Sequence, residues 1–186
     1  MTHNTTPLLI GLTGHIGAGK STVAAHLEDE YSFAQIAFAD PLLAGVGALL
    51  ADAGVDGAWT VERALKTQPT IIGHSYRKLA RTLGDALRAL DADIFVRMAG
   101  LKLDQARQGG DSVVISDVRY PNEAAWLRAQ GGVLVRLNRR IQPQPDHDSE
   151  AHWRSLPVDH EIANTTSLAT LGDQVDRLMH TLRARA

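Results

Sequence analysis

Leu8-Leu9-Ile10-Gly11-Leu12-Thr13 followed by Gly14-His15-Ile16-Gly17-Ala18-Gly19-Lys20-Ser21-Thr22 decides the fold. The first six residues are a short apolar run that reads as a buried parallel strand. The next eight fit G-x-x-x-x-G-K-[ST], and Ser21 to Leu27 continue as a helix-forming segment. A strand, a glycine-rich turn and a helix start together make a phosphate cradle. Backbone N–H groups and the helix N-terminus point at the anion, and Lys20 adds a point charge. The residues expected to surround the phosphates are Gly14, Ile16, Gly17, Ala18, Gly19, Lys20, Ser21 and Thr22, with the Ser21 hydroxyl offered to Mg²⁺. His15 has no required role in this pattern and reads as tolerated.

Working outward, apolar strands alternate with helical segments, the mark of an α/β fold with a parallel sheet. Ala34 to Phe38 predicts a second strand. Asp40 is suited to a helix N-cap and Pro41 to the first helical position, with Leu42, Leu43, Val46, Leu49 and Leu50 as the apolar face. Helical signal returns over Tyr76–Leu90 and Asp93–Gln108, and Gly109-Gly110 ends it. Val113 to Ser116 is the clearest buried strand. Pro121 opens a further helix, closed by Gly131-Gly132, and Val133 to Leu137 is another strand. Residues 138–157 hold three prolines, three arginines and two histidines and read as a mobile polar loop. Val158 to Ile162 predicts a last strand. Leu168, Leu171, Val175, Leu178 and Leu182 recur at three and four, so the final helix lays one face on the core.

Composition bounds the function. The chain has 186 residues, 44% apolar, enough for one domain with a sizeable core. The domain is expected to have its core in 7–37 and 111–186, a substrate-binding helical region in about 38–108 and a lid in about 139–157. A net charge of −2 argues against general affinity for nucleic acid or an anionic membrane. No run of 18 apolar residues predicts a membrane span, and the N-terminal apolar run lacks the basic flank of a signal peptide, so the cytoplasm is the default location. There is no cysteine, which excludes disulfides and thiol chemistry. Asp146, His147, Asp148, His152 and His160 match no established zinc spacing.

A phosphate cradle does not say what receives the phosphoryl group. Transfer between two anions needs positive charge around both. Asp117 and Arg119 lie just past a buried strand, where open α/β sheets bind ligands. Asp117 is a candidate to orient Mg²⁺ through water or to act as a base, and Arg119 to clamp an acceptor phosphate. The competing reading pairs the two with each other. Arg77 and Arg81 share a helix face and can grip a phosphate, or form a solvated basic face. Arg139 and Arg140 are candidates to neutralise the transferring group from a lid. Phe38, Asp40 and Tyr76 are weaker candidates for the acceptor site.

Phe38-Ala39-Asp40-Pro41-Leu42, then Ile115-Ser116-Asp117-Val118-Arg119-Tyr120-Pro121-Asn122-Glu123-Ala124, then His147-Asp148-Ser149-Glu150 follow the glycine loop in that order. In these blocks the chain resembles the phage-type deoxynucleoside monophosphate kinase family, over roughly residues 8–180. Tyr76-Arg77-Lys78-Leu79 with Leu83-Gly84, and Asp159 to Asn164, resemble further family stretches. The resemblance implies a three-layer P-loop kinase fold, a five-stranded parallel sheet flanked by helices. It implies ATP and Mg²⁺, with transfer to a deoxynucleoside 5′-monophosphate. Lys20 and Ser21 would serve ATP and Mg²⁺; Arg77, Asp117 and Arg119 would serve the acceptor or the transferring group. The chain departs from the family at Ser21, where some members carry Asp, and at Arg81, where glutamine is frequent. The partners expected are small nucleotides, with a homodimer left open. The opening segment also resembles dephospho-coenzyme A kinases, and a kinase acting on a hydroxyl is a further alternative.

Overall fold

The computed structural model describes residues 6–55, 67–139, 149–165 and 167–184. Five parallel strands form one sheet: β1 (Leu9–Thr13), β2 (Ala34–Ile36), β3 (Val113–Ile115), β4 (Val133–Asn138) and β5 (His160–Ala163), in the order β2-β3-β1-β4-β5. β1 is central, with Leu9 opposite Val113 on one side and Ile10 opposite Val133 on the other. All five of its residues are buried, which is why it reads as a continuous apolar run with no polar alternation.

The helices are α1 (Lys20–Tyr31), α2 (Asp40–Asp52), α3 (Tyr76–Leu90), α4 (Ile94–Gly109), α5 (Pro121–Ala129), α6 (Ser149–Ser155) and α7 (Leu168–Arg183). Ile10 and Leu12 pack into one core with Val23 and Leu27 of α1 and Val175, Met179 and Leu182 of α7. Leu9 and Gly11 turn the other way, as period-2 alternation demands. A Cβ at Gly11 would run into the side chain of Leu127 on α5, so the glycine is what lets that helix seat on the sheet. The chain thus has the three layers expected: helices, parallel sheet, helices.

The chain divides into two compact units, one of residues 1–37 and 99–186, the other of residues 38–98. The first holds the sheet with α1, α5, α6 and α7. The second holds α2 and α3. There Ser75 caps α3 by accepting the Lys78 N–H at 3.3 Å, as N-cap serines do.

Several sequence expectations are corrected. β2 ends at Ile36, and Phe38 lies in the following turn, buried. Asp40 is not the N-cap of α2. Ala39 holds that position, already in helical conformation (φ −79°, ψ −11°), so Asp40 falls in the first turn, where its charge suits the helix dipole. The apolar face of α2 is narrower than predicted. Leu42, Val46 and Leu50 are buried, one per turn, while Leu43 and Leu49 are exposed. In α7, Leu168 is exposed as well; it opens the first turn, before the helix meets the sheet. The segment read as a mobile loop contains α6, with Trp153 and Leu156 buried. These two apolar side chains gain more from burial than the polar composition around them suggests, at about 1.5–3 kcal/mol for a fully buried large apolar side chain.

Candidate active site

The glycine loop turns sharply from β1 into α1. Gly14 (φ +136°) and Gly19 (φ +105°) take left-handed conformations. Space also forbids a side chain at either: a Cβ would lie 2.5 Å from the Leu137 carbonyl oxygen at Gly14 and 2.5 Å from Asn164 Nδ2 at Gly19. Glycine is therefore required twice over. Gly19 is also the N-cap of α1, and no side chain caps it, so the first-turn N–H groups stay available to an anion.

Lys20 Nζ donates to the carbonyls of Gly14 (2.6 Å) and His15 (2.9 Å), which folds its ammonium back over the loop. Ser21 and Thr22 are exposed at the mouth, and among the described residues the Ser21 hydroxyl has no hydrogen-bond partner. Ala18 is fully buried, and its carbonyl accepts from Asn164 Nδ2 at 2.9 Å. The Thr13 hydroxyl, last in β1, is buried with no hydrogen-bond partner among the described residues. His15 is a departure from the sequence reading. It is 5% exposed, with Nδ1 2.8 Å from the Ile16 carbonyl oxygen and Nε2 3.1 Å from that of Arg139.

The Asp117–Arg119 segment comes off β3 beside this loop. The Val118 N–H donates to the Leu12 carbonyl at 3.0 Å, carrying the segment past the carboxyl end of β1. Asp117 and Arg119 are half-buried. They do not pair with each other: among the described residues the Arg119 guanidinium has no hydrogen bond or ion pair. Glu123, 2% exposed, holds the segment's shape by accepting the backbone N–H groups of Arg119 (2.7 Å) and Tyr120 (3.1 Å). This is half of a capping box. The Tyr120 ring lies 5.6 Å from that of His152 on α6.

Arg139 follows β4 and donates from Nη1 to the Gly17 carbonyl at 3.3 Å. Arg140 lies outside the described residues, as do residues 141–148 of the expected lid. In the second unit Tyr76 is buried and its hydroxyl faces the Leu43 carbonyl at 3.5 Å; burial pushes its phenol pKa up. Arg77 and Arg81 are half-buried, one turn apart on α3. Phe38 is buried and Asp40 half-buried. Sequence reasoning missed His15, Asn164 and Trp153 as parts of the loop's surroundings. The one available signal was a histidine where the loop pattern asks for no particular residue.

A protein of Acanthamoeba polyphaga mimivirus, provisionally named a deoxynucleotide monophosphate kinase, is 34% identical over 183 residues, covering 90% of this chain and 94% of that protein. The chain belongs to the deoxynucleotide monophosphate kinase family. No protein-family model matches it. Among solved structures, TT1252 from Thermus thermophilus superposes with a TM-score of 0.52 at 21% identity, over 95% of this chain and 98% of that one. A dephospho-CoA kinase from Campylobacter jejuni superposes at 0.51 and 13% identity, over 95% and 97%. Identities this low speak for the fold alone. The enzyme is a P-loop kinase, a nucleotide-binding phosphotransferase. Among its described residues no helix is long and apolar enough to cross a membrane.

Proposed function

We propose that this kinase transfers the γ-phosphoryl group of ATP to a deoxynucleoside 5′-monophosphate, giving ADP and the diphosphate. The observation that carries the reading is the 34% identity to the mimivirus kinase across nearly the whole of both chains. The geometry supports it: the glycine loop carries Lys20, and the segment that passes the carboxyl end of β1 carries Arg119, whose guanidinium has no hydrogen bond or ion pair among the described residues. One cation for the donor and another for an acceptor phosphate suit transfer between anions.

In this reading Gly14, Ile16, Gly17, Ala18, Gly19 and Thr22 surround the donor phosphates with backbone N–H groups, and Lys20 leaves the loop carbonyls for phosphate oxygens. The Ser21 hydroxyl and, through water, the Asp117 carboxylate are hard oxygen donors of the kind Mg²⁺ takes. When bound, Mg²⁺ neutralises phosphate charge and orients the transferring group. Arg119 holds the acceptor phosphate bidentately. Arg139, and Arg140 beside it in sequence, neutralise the transferring group. We assign the helical region 38–108 to acceptor recognition, through Arg77 and Arg81 with Phe38, Asp40 and Tyr76, and 139–157 to the lid. No strong general base is required, since an acceptor phosphate is already anionic at neutral pH. We place the enzyme in the cytoplasm, where ATP and nucleoside monophosphates are both at hand.

The test is ADP production with ATP and Mg²⁺ across a panel of deoxy- and ribonucleoside monophosphates, with dephospho-coenzyme A alongside. Turnover with at least one deoxynucleoside monophosphate is expected. Turnover with dephospho-coenzyme A and none with monophosphates would overturn the reading.

A further inference from the structure

We infer that His15 is a positioning residue for phosphoryl transfer, acting through Arg139. The inference rests on the kinase reading above and adds a role for a loop side chain that the phosphate-binding pattern does not ask for.

Two contacts bind Arg139 to the glycine loop. Its carbonyl oxygen lies 3.1 Å from His15 Nε2, and its Nη1 donates to the Gly17 carbonyl at 3.3 Å. The first fixes the backbone of Arg139 where the chain leaves β4. The second shows where the guanidinium rests when its root is so fixed: on the loop that cradles phosphates. A carbonyl is a weak partner for a guanidinium compared with a phosphate, so the side chain can exchange one for the other while its backbone stays put. Lys20 rests in the same way, with Nζ on the carbonyls of Gly14 and His15. Both cations thus contact loop carbonyls beside the site, and the backbone of Arg139 is tied in addition to the His15 side chain.

That side chain is itself held. His15 is 5% exposed. Its ring lies 6.0 Å from the ring of Trp153, which α6 buries. The oxygen facing Nε2 is a carbonyl, which can only accept, so in the tautomer with its proton on Nε2 the ring donates to Arg139. Such buried donors and acceptors orient one another at little further entropic cost. The contact joins residues 124 positions apart, which makes His15 a tie between the loop and the end of β4. The carbonyl of His15 that receives Lys20 survives any substitution of its side chain, so the roles of His15 toward Arg139 and toward Lys20 can be separated.

The experiment is a double-mutant cycle on the full chain, with ATP, Mg²⁺ and the monophosphate panel. His15→Ala should lower kcat by about 10- to 10²-fold, the scale of a misplaced catalytic group, while KM for ATP stays within about twofold because Lys20 and the loop backbone are kept. His15→Gln keeps a donor at the place of Nε2 and should restore most of kcat; His15→Asn keeps only the nearer one and should not. In an Arg139→Ala background the His15→Ala change should cost almost nothing, since the side chain it positions is gone. A thermal melt of each variant, with His15→Gln as the least disruptive, separates misfolding from misplacement. Multiplying losses in the double mutant, or a raised KM for ATP with unchanged kcat, would overturn the role of His15 and leave the kinase reading intact. No transfer to any monophosphate by the wild-type chain would overturn that reading instead, and this inference with it.

Discussion

Glu123 Oε2 accepts the backbone N–H of Arg119 at 2.7 Å from a side chain only 2% exposed. A buried carboxylate therefore sets the path of the segment that presents Arg119, and its second bond, to the Tyr120 N–H at 3.1 Å, starts α5. Glu123→Ala should cost about 1–3 kcal/mol of stability, because two N–H groups lose their acceptor. It should also raise KM for the acceptor monophosphate more than KM for ATP. Glu123→Gln keeps one acceptor oxygen and should fall between the two. Chemical denaturation and steady-state kinetics with each substrate varied check both effects; equal KM changes for the two substrates would contradict the assignment.

Lys20→Ala should lower turnover by at least about 10²-fold, by analogy with the loss of a key electrostatic donor. Stability should also fall, by about 1–3 kcal/mol, since the Gly14 and His15 carbonyls that Lys20 engages belong to buried residues and lose a donor. The measurement is ADP production alongside a thermal melt. Activity near the wild-type level would remove Lys20 from the mechanism.

Asn164 donates to the Ala18 carbonyl at 2.9 Å and stands where a Cβ on Gly19 would go. It braces the loop from the end of β5, where its own N–H bonds the Asn138 carbonyl at 2.7 Å. Asn164→Ala removes one partner of a buried carbonyl and should cost about 1–3 kcal/mol. ATP affinity, read by titration calorimetry, should fall by up to about tenfold as the loop loses its brace. An unchanged affinity would mean that the loop keeps its shape without the bond.

Between α1 and α7, Asp176 accepts from His26 Nε2 and Tyr31 Oη, both at 2.8 Å. The His26 bond first, and then the Tyr31 bond, hold the Asp176 carboxyl below the usual carboxylate range. A depressed pKa adds stability above the unfolded-state value of about 4 and loses it as pH falls through the folded-state value. Half of the Asp176 side chain is exposed, so screening keeps the contribution to about 1 kcal/mol or less. Asp176→Asn should lower Tm near neutral pH by at most about 2–4 °C, and the difference should close below about pH 4. A gap that persists in acid would assign the effect to packing.

What is local in this fold was legible in the sequence. β1, the loop and α1 form one continuous stretch, and each step carries its own signal: an apolar run, glycines where φ must be positive, and a lysine at the helix start. The span of α3 was legible in the helical signal over Tyr76–Leu90, and the structure adds Ser75 as its cap. The deoxynucleotide monophosphate kinase family was legible because its blocks are short and contiguous.

Only the tertiary structure decided what depends on distant parts of the chain. His15 looks idle until β4 brings Arg139, 124 residues on, to its ring. Asn164 reads as a loop residue until β5 carries it 146 residues back to Ala18. Trp153 and Leu156 look like solvated lid until α6 forms and buries them, while Leu43 and Leu49 look like core and are exposed. The reason is physical. Periodicity and turn chemistry act over a few residues, so one sequence window contains their cause. Burial and long-range hydrogen bonds depend on which elements the sheet order β2-β3-β1-β4-β5 makes neighbours. By itself the sequence determined the strand, glycine loop and helix start that make a candidate phosphate cradle; the packing of β3, β4 and β5 around β1 decided which side chains stand beside it.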